Sequence, residues 1–81
     1  MSSDSVWQEV TTNKISVGDI LRVKDSAYNT DAGKIHNGRF VQVLQISDGD
    51  VCVKTIDNRK PPVNYTKHPP HKLERLVTQI D

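Results

Sequence analysis

Cysteine is nearly absent from this 81-residue chain, which has only Cys52. One thiol closes no internal disulfide, which excludes the cross-linked frameworks of small secreted domains and favours a reducing compartment. The expected location is the cytoplasm. Aromatic residues are as scarce, with one Trp, one Phe and two Tyr. No apolar run approaches the roughly 18 residues of a membrane helix, and Met1-Ser2-Ser3-Asp4-Ser5 lacks the positive charge and apolar stretch of a signal peptide. No membrane partner is expected. Apolar residues at helical spacing are missing too, as are internal repeats and heptads. Net charge is only +1, which taken alone argues against a strongly electrostatic partner such as duplex DNA.

What is present is alternation. Asp19 to Lys24 sets Leu21 and Val23 against Arg22 and Lys24, a strand with one wet side, opened by the Gly18-Asp19 turn. In Arg39 to Ile46, Phe40, Leu44 and Ile46 share one parity and Val41 and Val43 the other, so either both faces are partly buried or a bulge switches the parity. Ser47-Asp48-Gly49-Asp50 is a hairpin signal, because the glycine of an Asp-Gly pair takes positive φ without steric cost. Val51 to Ile56 returns antiparallel, with Cys52 opposite in parity to Val51 and Val53 and expected either half-buried against Trp7 or exposed. Val63 to Lys67 suits a short fourth strand, Pro69 and Pro70 end it, His71 to Glu74 suits one turn of 3-10 helix, and Leu73 to Val77 pairs back as a closing strand. Upstream, Val6 to Lys14 reads as an extended segment laying Trp7 over the core, and residues 1–5, small and polar, are expected to be disordered ahead of a single domain at 6–81. The expected core is Leu21, Val23, Val43, Val51, Val53 and Leu76.

Taken together, about five short strands, a long first loop and a one-turn 3-10 helix before the last strand resemble the SH3-like barrel, an all-β, small antiparallel fold. Within that superfold the chain looks most like the KOW-type barrels of transcription and translation factors, through Gly18, Asp19, Leu21, Val23, Gly38, Val41, Val43, Asp48, Gly49, Val51 and Val53, over roughly residues 17–56. The resemblance implies nucleic acid, or a nucleic-acid machine, as partner. One departure is plain: the close glycine pair before the second strand is replaced by Gly33 and Gly38 with Lys-Ile-His-Asn between them, so that family's nucleic-acid loop does not carry over. Peptide-binding SH3 domains are similar at Ala27-Tyr28 and at Pro62-Val63-Asn64-Tyr65, but their paired tryptophans are missing here. A polyproline groove needs several aromatic ridges, and Tyr28 and Tyr65 alone do not make one.

Charge is distributed unevenly. Residues 1–50 hold five Lys/Arg against seven Asp/Glu, a net of −2, and residues 51–81 hold six against three, a net of +3. The basic part supplies the candidate nucleic-acid-binding residues Lys54, Arg59, Lys60, Tyr65, Lys67 and His68, with Arg39 on the neighbouring strand. Such cations can meet phosphate while Tyr65 offers a stacking face to a base. Lysines also blunt exposed edge strands against aggregation, which needs no ligand at all. The alternative is a protein-binding adaptor or inhibitor using Tyr28, Ile35 and His36 of the 25–37 loop, or an open sheet edge. His68-x-x-His71 is the only short metal-ligand spacing and lacks the second Cys or His pair of a zinc site, so no metal is expected. Catalytic motifs such as Gly-x-Ser-x-Gly, a phosphate-cradling glycine loop or His-Glu-x-x-His are absent. Neither an enzyme, a cofactor nor a small-molecule substrate is expected.

Overall fold

The computed structural model describes residues 3–80. Its strands are β1 (Ser3–Glu9), β2 (Ile20–Val23), β3 (Phe40–Ser47), β4 (Asp50–Thr55), β5 (Thr66–His68) and β6 (Leu73–Ile80), with 3-10 turns at Thr12–Lys14, Lys34–His36 and Pro70–Lys72. All pairings are antiparallel, in one sheet of order β1-β6-β2-β3-β4-β5. β1 and β5 are its two ends, and among the described residues no ladder joins them. No helix here is long and apolar enough to cross a membrane.

Alternation decides what is buried. Leu21 and Val23 of β2, Val41 and Val43 of β3, Val51 and Val53 of β4 and Leu73 of β6 face one core, which Val10 and Ile15 cap from the β1–β2 connection. The β3–β4 register slips between Val43 and Gln45, so Leu44 is the extra residue of a bulge. That slip reconciles the two parities of β3: Val41 and Val43 face inward before it, and Ile46 packs against the core after it. The hairpin turns at Asp48 and Gly49, both at positive φ (54° and 80°), the left-handed pair that a two-residue turn between twisted strands requires.

Four expectations are corrected. Leu76 is 55% exposed, and the core leucine of the last strand is Leu73; three residues apart on a strand, the two must face opposite sides. The strand count among the described residues is six, because β1 is a full strand on β6, with Ser3 paired to Ile80 and Glu9 to Glu74. Ser3 to Ser5 therefore belong to β1, while residues 1 and 2 of the expected disordered segment lie outside the described residues. Cys52 is neither exposed nor half-buried but fully buried, and the Tyr65 hydroxyl donates to its Sγ at 3.1 Å.

Candidate nucleic-acid interface

The proposed basic residues divide into two groups. Lys54, Arg59, Lys60, Tyr65 and Lys67 are exposed, whereas Arg39 and His68 are each only 1% accessible.

The exposed group is organised by the β4–β5 ladder. Cys52 pairs with Lys67 and Val53 with Thr66, and Tyr65 immediately precedes β5. Period-two alternation places Cys52 and Lys54 of β4 and Lys67 of β5 on the face opposite Val51, Val53 and His68, where Lys54 and Lys67 are exposed and Cys52 is covered. The Tyr65 hydroxyl reaches Cys52, and the residue is 55% exposed. The hydrogen bond to Cys52, with burial second, raises the phenol pKa, so Tyr65 stays neutral across the physiological range. None of Lys54, Lys60 and Lys67 is in an ion pair among the described residues. Arg59 follows in the connecting turn and is held by donation from its Nη1 to Asn37 O at 2.9 Å.

Arg39 serves the fold. Its guanidinium donates to Asp57 from Nε and Nη2, the latter at 2.8 Å, and to the carbonyls of Arg59 and Pro61. A buried guanidinium needs a countercharge and acceptors for its fork of donors, and here one carboxylate and two backbone oxygens provide both. Hydrogen bonding from Arg39 holds the Asp57 carboxyl below its ordinary pKa. The residues 56–65 connection is thereby wrapped around the side chain that immediately precedes β3.

His68 is internal for a related reason. It pairs with Val51 and shares its inward face. Its Nδ1 lies 2.5 Å from the Tyr28 hydroxyl, the His36 ring meets it edge-on with centroids 5.1 Å apart, and the Lys72 ammonium sits 4.1 Å above the Tyr28 ring while donating to Ala27 O. Burial first, then the positive groups His36 and Lys72, push His68 down to about 4. It is neutral at pH 7 and adds no charge to a phosphate site. Burial, with Arg39 second, also lowers His36, and burial raises Tyr28. Of the residues considered for a protein contact through the long loop, Tyr28 and His36 are thus drawn into this cluster, and Ile35 alone is exposed, at 40%. Among the described residues no group of three or more His, Cys, Asp or Glu converges as a metal site.

A further set of residues escaped the sequence reading. On the outer face of β1, β6, β2 and β3, the Arg22 guanidinium lies 4.0 Å above the Trp7 ring, Trp7 and Phe40 stand 6.0 Å apart, and Arg22 pairs with Glu74 at 2.5 Å. Ile20, Phe40 and Leu76 are large apolar side chains left on the wet side. The signal was available: Ile20 and Phe40 hold the parity opposite to Leu21 and Val41, where an alternating strand should be polar. No family model, curated protein or solved structure matches the chain.

Proposed function

We propose that the chain is a non-enzymatic SH3-like barrel that binds single-stranded nucleic acid, or docks on a nucleic-acid machine, through the outer face of β4 and β5. The observation that carries this reading is the exposed Tyr65, anchored by its hydroxyl on Cys52, beside a strand face that presents Lys54 and Lys67, neither of them in an ion pair among the described residues. A base can stack on such a ring while the ammonium groups meet the phosphates beside it, and stacking makes no demand on base identity. Lys60 and Arg59 extend the cationic surface into the adjoining turn. The strand order supports the barrel, since β2, β3, β4 and β5 form a meander and β6 returns to the side of β2.

The test is a titration of a fluorescent oligothymidylate and an oligouridylate at two salt concentrations. Wild-type affinity is expected to fall with salt. Lys54→Glu, Lys60→Glu and Lys67→Glu together should abolish binding without altering the melting transition, and neutral glutamines should flatten the log–log salt dependence by about 2, at ~0.7 per lost single-strand phosphate contact. Tyr65→Ala should weaken binding with the salt slope unchanged. Absence of wild-type binding at low salt, or equal binding by the charge-reversed variant, removes the reading.

A further inference from the structure

β2 and β6 are ladder partners at only two positions, Arg22 with Glu74 and Val23 with Leu73, although β2 reaches back to Ile20 and β6 runs on to Ile80. Lys24 N also donates to Lys72 O at 3.0 Å. Hydrogen-bonded pairs of an antiparallel ladder recur at every second residue. Lys24 with Lys72 and Arg22 with Glu74 are such positions, and the next in register is Ile20 with Leu76. Among the described residues that pair is not made. Ile20 stays on β3 opposite Gln42, Leu76 stays on β1 opposite Trp7, and the two strand edges part. The Arg22–Glu74 ion pair closes the base of this fork, with Arg22 stacked on Trp7.

The fork holds a cleft of about 590 Å³ whose walls include Trp7, Ile20, Phe40 and Leu76. Ile20 is 60% and Leu76 55% exposed, which is costly for large aliphatic side chains side by side on a small domain. Two charged residues also line it. Asp19 already accepts from Ser16 N at 2.8 Å, while Arg75 donates from Nη1 to Lys14 O at 3.2 Å and meets no carboxylate among the described residues. The neighbouring Lys14 is a second exposed cation. An unmade strand edge, apolar walls and an uncompensated guanidinium are therefore found at one place.

We infer that this fork is a docking site for an extended peptide segment of another protein, one carrying a bulky apolar side chain next to a carboxylate. The segment adds to the edge of β6 that β2 leaves and takes up the backbone hydrogen bonds missing at Leu76, as in recognition by strand addition. Its apolar side chain lies among Trp7, Ile20, Phe40 and Leu76, and its carboxylate meets Arg75. Backbone edges select a polypeptide, and the charge at Arg75 selects an acidic one. The site is separate from the β4–β5 face and does not depend on the nucleic-acid reading.

Trp7 is the only tryptophan, so its fluorescence reports on the cleft directly. The probes are three end-blocked heptapeptides built on threonine: one with a central leucine flanked by glutamates, one with the glutamates replaced by lysines, and one with the leucine replaced by serine. The first is expected to shift Trp7 emission and to move the amide signals of Ile20, Leu21, Arg75, Leu76 and Val77; the other two should bind at least tenfold more weakly. Leu76→Lys, at an exposed position, should abolish the response without changing the fold, and Arg75→Glu should reverse the preference towards the lysine peptide. No response to the first peptide at millimolar concentration, or the same charge preference in Arg75→Glu, overturns the inference. So do fork signals that move with protein concentration alone, which would make the occupant a second copy, or that move with oligonucleotide instead of peptide.

Discussion

The Tyr28 hydroxyl meets His68 Nδ1 across forty positions of sequence, and this contact ties the loop between β2 and β3 to the edge strand β5. The opposite ring nitrogen, Nε2, is buried without a partner among the described residues, where one side-chain hydrogen bond and the rings of Tyr28 and His36 hold the imidazole. A Cβ on Gly33 would stand 2.6 Å from the Tyr28 Cβ, so the loop backbone is closed tightly against the base of the Tyr28 side chain.

This cluster makes stability depend on acid. The folded-state pKa of His68 lies near 4 against an ordinary 6.5, so the unfolded chain takes up the proton first as pH falls. The stabilisation is complete above about pH 6.5, declines as pH falls towards 4, and levels off below; its size is on the order of 2 kcal/mol. His36, lowered in the same direction, adds to the loss. Urea denaturation at pH 7.5 and pH 4.5 should show the difference, and His68→Phe should shrink it.

Asp57→Ala should destabilise by about 2 to 3 kcal/mol, since it leaves the buried Arg39 guanidinium with carbonyls but no countercharge. Asp57 keeps some contact with water, which sets the effect in the lower part of the range for broken buried pairs. The exposed Lys24–Glu9 pair is the control: Glu9→Gln should leave the urea midpoint nearly unchanged.

Leu73→Ala should cost about 3 kcal/mol, as burial of a leucine in a small core predicts. Leu76→Ala, on the other face of the same strand, should stay within about 0.5 kcal/mol. Thermal melts of the two variants test the facing of β6, and equal losses would mean that the strand is turned over. Val53→Ala, fully buried in β4, should lose roughly 1 to 3 kcal/mol.

At the Asp48–Gly49 turn, Gly49→Val should be costlier than Gly49→Asn by about 1 kcal/mol, because a β-branched residue resists the left-handed conformation that Asn tolerates. Denaturant midpoints measure the gap. Equal midpoints would remove the turn assignment and the β3–β4 register with it.

The central strands, their turn and most of the core were legible in local sequence. Alternation at Leu21 and Val23, at Val41 and Val43, and at Val51 and Val53 is local information, because a strand's facing repeats every two residues and an Asp-Gly pair carries its own backbone preference. The parity change in β3 left a bulge or two partly buried faces as alternatives, and the register slip at Leu44 decides for the bulge. Lys54 and Lys67 were legible as cations on a strand face, whereas the anchoring of Tyr65 on Cys52 was not. Tertiary structure alone decided the fates of Arg39 and His68. A charged or polar side chain goes inside only where partners meet it, and those partners lie eighteen residues away in Asp57 and forty away in Tyr28. It also decided which of two leucines in the last strand is core, and it opened the fork between β2 and β6, because both depend on how the strand starting at Leu73 is shared between β1 and β2, a choice that no stretch of local sequence encodes.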